Sequence, residues 1–206
     1  MTLPASDASS ALIDRRRGVL ADLVPGDSRA LVRDATLVLA SAAFVGVLAQ
    51  IVVHLPFTPI PVTGQTLGVV LAGCALGWRR AGISMALYLL IGLAGVPWFA
   101  GHTSGWQNAD GGYLIGFIAA ATVCGYLAER GWDRSILGSV PIMIVGELVL
   151  YAIAVPWLAA AVHVGFAKAL SLGFRPFIVG DAVKLALAAG LLPASWRLVE
   201  RGAPRP

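Results

Sequence analysis

Phe177-Ile-Val-Gly-Asp-Ala-Val-Lys-Leu-Ala-Leu-Ala-Ala-Gly-Leu-Leu192 is apolar throughout except for Asp181 and Lys184. A spacing of three puts both side chains on one face of a helix. A charge near the centre of a bilayer costs at least about 2.5–3.5 kcal/mol by insertion scales. Two such residues in so apolar a run therefore act together. They are either a structural ion pair or the two ends of a polar recognition site, and the rest of the chain favours the second.

The surroundings of this stretch are equally apolar. The chain has 206 residues, 58% hydrophobic and 13% charged, with a mean hydropathy of +0.81. A soluble domain carries about 25% charge. The composition is that of a polytopic, all-α membrane protein of one domain. The net charge of +4 does not point to nucleic acid, because the arginines sit between apolar segments, where membrane orientation accounts for them.

Six apolar segments follow one another: about 34–55, 64–78, 81–96, 113–129, 136–160 and 177–196. A spanning helix needs about 20 residues, and the second and third fall short. A six-helix membrane domain over 34–196 is expected, between a polar tail of residues 1–33 and a short tail of residues 197–206. No cleaved signal peptide is expected in the first tail, which has no apolar core, and a short amphipathic piece is expected around Ala11–Val24.

An even number of spans places both termini on one side. That side collects Arg15, Arg16, Arg17, Arg29, Arg33, Arg79, Arg80, Arg130, Arg134, Arg197, Arg201 and Arg205, against Lys168 and Arg175 on the other. Positive residues stay in the cytoplasm, so both termini are expected there, in the cell membrane.

The opposite, outer connections are elaborate. Pro56-Phe-Thr-Pro-Ile-Pro-Val-Thr-Gly-Gln-Thr66 has three closely spaced prolines, Pro56, Pro59 and Pro61, which favour extended backbone. Pro97-Trp-Phe-Ala-Gly-His-Thr-Ser-Gly-Trp-Gln-Asn-Ala-Asp-Gly-Gly112 mixes aromatics, amides and glycines. Elaborate loops on one face of a scaffold carry function; ordinary solvated loops with interfacial tryptophans are the plainer alternative. Gln65, beside a Gly64 hinge, is expected to gate a ligand. Small residues recur at spacing four, as in Ala42 and Gly46, Gly64 and Gly68, Gly73 and Gly77, Gly112 and Gly116, and Ala121 and Gly125. Such pairs let helices approach closely, within the bundle or against another subunit.

Several chemistries are missing. There is no phosphate-binding GxxxxGK[ST] loop and no HExxH. His54, His102 and His163 are scattered, Cys74 and Cys124 have no metal spacing, and no cofactor or metal is implied. Glu147, midway along the fifth segment, is either a packed, hydrogen-bonded carboxyl, a ligand group or a proton carrier.

Five stretches in order resemble the BioY family, the biotin-binding S components of energy-coupling factor (ECF) transporters. They are Pro59-Ile-Pro-Val-Thr-Gly-Gln-Thr66, Ala75-Leu-Gly-Trp-Arg-Arg80, Val96-Pro-Trp-Phe-Ala-Gly101, Gly111-Gly-Tyr-Leu-Ile-Gly-Phe117 and Gly180-Asp-Ala-Val-Lys184. The resemblance covers about residues 34–196. It implies six transmembrane helices with an outward-facing vitamin pocket, no enzymatic activity, and a transmembrane coupling subunit and cytosolic ATPases as partner chains. It also implies that Asp181 and Lys184 contact biotin, with Gly111, Gly112 and Tyr113 lining the pocket, and with Gln65, Phe99, Ala100 and His102 as further site residues. Gly101 follows Ala100 where relatives often carry an asparagine that meets the ring system; His102, Gln107, Asn108 or a water are the candidates for that contact. The competing readings are the same subunit type for another small vitamin, an intramembrane enzyme, and a scaffold subunit.

Overall fold

Long runs of Ala, Val, Leu and Ile without charge satisfy their backbone polar groups only internally, which in an apolar medium means helix. The computed structural model, which describes residues 18–24, 30–106 and 108–202, is built that way. Its helices are α1 (Ala30–Leu48), α2 (Gln65–Leu76), α3 (Trp78–Leu93), α4 (Gly111–Ala128), α5 (Ile136–Ala161), α6 (Phe166–Gly173) and α7 (Ile178–Gly202). Among the described residues, four stretches are long and apolar enough to cross a membrane: Ala30–Leu48, Gly111–Ala128, Ile136–Ala161 and Phe166–Val199. The exposed face of α7 repeats every four residues through Val179, Val183, Leu187 and Leu191, an apolar stripe suited to lipid. The protein is an all-helical membrane protein.

The segment boundaries differ from the sequence expectation at several ends: α1 begins at Ala30 and α7 runs on to Gly202, into the two expected tails. The first apolar run stops at Leu48 rather than 55, because Val52–Val53 (β1) pairs antiparallel with Val62–Thr63 (β2). The three prolines thus sit in a small hairpin that turns back over the bundle. The connection before the last helix contains α6, about two turns of helix that the sequence did not suggest, and Thr58 donates a 2.6 Å bond to the Leu172 carbonyl there. The hairpin, the 94–110 loop and α6 share one end of the bundle, the loop end.

The other end is tight. Gly77 (φ 80°, ψ 170°) reverses the chain between α2 and α3 in a conformation that side chains avoid, and a Cβ there would lie 2.5 Å from Glu129 Oε1. Residues 18–24 lie beneath this end: Val19 and Ala21 are buried, and Asp22 pairs with Arg80 at 2.7 Å. The remainder of the two expected tails, residues 1–17, 25–29 and 203–206, falls outside the described residues, as does most of the expected amphipathic piece. Asp133, fully buried, accepts a 2.6 Å bond from Trp196 Nε1, tying the turn before α5 to the end of α7. Burial pushes its carboxyl above the usual range, with the Trp196 bond opposing.

The spacing-four small residues mark the crossings. A Cβ on Gly73 would meet the Ala121 carbonyl at 2.7 Å, and one on Gly116 would meet Leu150 at 2.7 Å. These pairs therefore pack α2 against α4 and α4 against α5, where lipid offers no hydrophobic drive and close backbone approach supplies the contact energy. Gly64 has right-handed helical dihedrals (φ −74°, ψ −5°). Its missing Cβ makes room for the Leu48 carbonyl, 2.7 Å away, so close packing rather than hinge freedom explains that glycine.

Candidate functional site

The site is assembled from the first turns of α7 outward. Residues Gly180 to Leu185 carry no β-branched crowding beyond Val183, and the helix sets Asp181 and Lys184 side by side: Nζ to Oδ1 is 3.1 Å. Neither charge is left to itself. Tyr151, on the loop-side half of α5, donates from its hydroxyl to Asp181 Oδ2 at 2.5 Å. Lys184 donates to Thr66 Oγ1 on α2 at 2.7 Å. The sequence Tyr151–Asp181–Lys184–Thr66 is a continuous polar chain across three helices. Its bonds are charge-assisted, the strong kind, and they offset part of the cost of burying both ions.

A cavity of about 560 Å³, mouth included, opens on this chain. Thr66, Tyr151 and Lys184 line it together with Gln65, Phe99, Ala100, Asp110, Tyr113, Phe117 and Phe177. The aromatic wall is ordered by ring contacts. Tyr113 and Tyr151 meet edge-on at 6.3 Å, and Tyr151 meets Phe174 at 4.9 Å. Tyr113 is fixed by its hydroxyl, which donates to the Gly173 carbonyl at 2.6 Å. The hairpin roofs the cavity with Ile60, Pro61 and Thr63.

The expected site residues fall into three groups. Lys184, Gln65, Tyr113, Phe99 and Ala100 line the cavity directly. Asp181 stands behind the wall and reaches it through Lys184 and Tyr151. Gly111 and Gly112 are not among the residues lining this cavity; a Cβ on Gly112 would lie 2.4 Å from Trp157 Cβ, so they bring α4 against α5 and thereby place Tyr113. His102 is exposed, with its backbone N–H on Gln50 Oε1 at 2.9 Å, and does not reach the cavity. Gln107 lies outside the described residues, and Asn108 is exposed with its carbonyl taking a 2.8 Å bond from Trp157 Nε1.

Gln65 is less free than a gating residue would be. Its Nε2 donates to the Tyr88 hydroxyl at 2.9 Å and its Oε1 accepts from Thr63 at 2.8 Å. Tyr88 passes the chain on to the Trp98 carbonyl at 3.1 Å, so the hairpin is wired to the 94–110 loop through this glutamine.

The site residues not foreseen include Thr66, Tyr151, Phe117, Phe177 and Asp110. Tyr151 follows Glu147 by one turn, and that spacing was its only signal. Asp110 directly precedes Gly111-Gly112, a carboxylate at the start of an apolar helix. Burial pushes its carboxyl up to about 6. Glu147 itself lies close to Thr66, Asp181 and Lys184, and both its oxygens are buried with no hydrogen-bond partner among the described residues. No group of three or more His, Cys, Asp or Glu side chains able to hold a metal occurs among the described residues.

Comparison with known proteins agrees with this architecture. The family described as "BioY family" matches residues 17–201. A biotin transporter BioY of Rhizobium etli is 36% identical over 168 residues, covering 76% of this chain and 89% of that protein. A probable biotin transporter BioY of Pyrococcus horikoshii is 38% identical over 159 residues, covering 76% and 91%. The crystal structure of the S component for biotin from an ECF-type ABC transporter has the same fold. It superposes with a TM-score of 0.74 at 22% identity, over 87% of this chain and 97% of that one. On a match that spans nearly all the described residues, and on relatives this similar over most of their length, the chain belongs to the BioY family.

Proposed function

We propose that this chain is the substrate-binding (S) subunit of a vitamin uptake transporter, and that its substrate is biotin. The observation that carries the reading is the Tyr151–Asp181–Lys184–Thr66 chain at the wall of an aromatic cavity. Biotin's ring system offers two ureido N–H donors and one carbonyl acceptor. Asp181 is the acceptor for the donors, and Lys184 donates to the carbonyl. Phe99, Tyr113, Phe117 and Phe177 enclose the apolar ring and chain. The two charges satisfy each other, and Lys184 faces the cavity where the ligand arrives. Because Asp181 stands behind the wall, ligand entry includes a small swing of its carboxylate away from Lys184.

In this reading α1, α2, α3, α4, α5 and α7 are the six membrane helices. The loop end faces outward, so the cavity opens to the exterior, and both termini are cytoplasmic. The subunit binds and delivers rather than converts its ligand. Energy comes from other chains, a transmembrane coupling subunit and cytosolic ATPases of an ECF module.

The deciding experiment is equilibrium binding of labelled biotin to the purified chain in detergent, with riboflavin and thiamine as competitors. Saturable biotin binding that neither competitor displaces is expected. No binding, or displacement by riboflavin or thiamine, overturns the assignment.

A further inference from the structure

The cavity has two polar ends, and the function above uses only one. Lys184 lies six residues into α7, about 9 Å along the helix at 1.5 Å per residue. Asp110 lies just ahead of α4, at the loop end, and lines the same cavity. Its carboxylate makes no hydrogen bond to any described residue, not even as a cap to the helix it precedes. A half-buried carboxylate that faces a ligand cavity and bonds to nothing there is placed to meet the ligand.

We infer that Asp110 faces the tail of the bound ligand and sets which tails the site accepts: uncharged or proton-sharing ones, and not an ionised carboxylate against an ionised Asp110. The inference rests on the biotin reading, in which the ureido ring is held deep at Asp181 and Lys184. The valerate tail then extends toward the loop end, and its carboxylate meets Asp110. Two carboxylates in a desolvated mouth cannot both be ionised without a large penalty. Sharing one proton gives a short O–H···O⁻ bond, one of the strong kinds.

The sign follows from linkage. Burial disfavours the charge on Asp110 and pushes its carboxyl up to about 6 before any ligand charge is added. A ligand carboxylate beside it raises that value further. Binding therefore takes up a proton, and affinity falls as pH rises through the value of the empty site, by at most about tenfold per pH unit. The other titratable groups facing this region are Tyr113 of α4, Tyr151 of α5 and Lys184 of α7, which share the cavity lining. His102 and His163 are exposed on the adjoining loops, and Asp181 stands behind Tyr151.

The test measures equilibrium binding to the full chain in detergent at about pH 5.5 and about pH 7.5. It uses biotin and the uncharged biotinamide, on the wild type and on Asp110→Asn. Biotin should bind wild type about tenfold or more weakly at the higher pH, biotinamide equally at both, and Asp110→Asn should flatten the biotin profile. His163→Gln should leave the wild-type profile in place, which separates Asp110 from the nearby imidazole. A flat biotin profile in wild type, or a biotinamide profile as steep as biotin's, overturns the inference. So does a slope that survives in Asp110→Asn. The biotinamide comparison needs no variant, so misfolding of Asp110→Asn does not blunt it. Absence of biotin binding by the wild type at either pH is a different outcome, and overturns the functional reading instead.

Discussion

Lys184 and Thr66, 118 positions apart in the chain, are joined by a 2.7 Å hydrogen bond from α7 to α2. The ammonium is therefore held at two points, by Asp181 on its own helix and by a hydroxyl on another. Pulling α2 away from α7 would release the lysine, so the position of the hairpin-bearing helix and the aim of the cation are one variable.

Asp181→Asn and Lys184→Met should each weaken biotin binding about ten- to a hundredfold while the protein still inserts and purifies. The loss of one hydrogen bond to a charged group is worth about 1.5–3 kcal/mol, which is that range of affinity. Titration of each variant with labelled biotin checks it. If the pair were only structural, the double variant would regain stability and binding together; a binding-competent double variant would remove Asp181 and Lys184 from the site.

Tyr151→Phe and Thr66→Val delete the outer members of the polar chain without touching either charge. Each should weaken binding by roughly tenfold, the effect of about 1.4 kcal/mol, with thermal stability changed little by comparison. Binding and melting are to be measured on the same preparations. A melting point that collapses while affinity holds would make these hydroxyls scaffold groups.

Biotin should raise the hydrogen-exchange protection of residues 57–66. The hairpin roofs the cavity and is tethered at Thr58 and through Gln65, so a ligand beneath it removes opening motions. Because Gln65 is bonded on both sides and Gly64 is packed rather than hinged, the movement belongs to the whole hairpin. Protection unchanged by ligand would mean that the roof is static.

Impermeant thiol reagents applied to intact cells should miss a cysteine at Arg79→Cys and label one at Asn108→Cys, both exposed positions at opposite ends of the bundle. The reverse pattern would invert the protein and close the outward route to the cavity.

The helices were legible because charge-free runs of this length have no other way to satisfy their backbone. The site was legible in part: Asp181 and Lys184 stand out as ions in an apolar run, and Tyr113 came with its glycine pair. What stayed hidden depends on tertiary approach. Thr66 is an ordinary helix-start threonine until α7 brings Lys184 to it, and Tyr151 is one aromatic among many until Asp181 lies opposite. α6 was missed because it has only eight residues, too short a window for its amphipathic pattern to stand out from a loop. His102 was attractive as a polar group beside Ala100, but the left-handed backbone at Gly101 and His102 (φ 64° and 61°) turns that strand outward.

α2 has 12 residues, about 18 Å of helix, where hydrocarbon is about 30 Å thick. The missing depth is made up by the hairpin, whose unpaired backbone groups cannot face lipid tails. Neighbouring helices must screen it, and headgroups and water must dip toward it on that side. In the proposed arrangement the bilayer is expected to thin beside α2. In the proposed orientation, a vitamin resting under the hairpin would already have covered part of the crossing before any partner acts, and a thicker membrane would lengthen what remains.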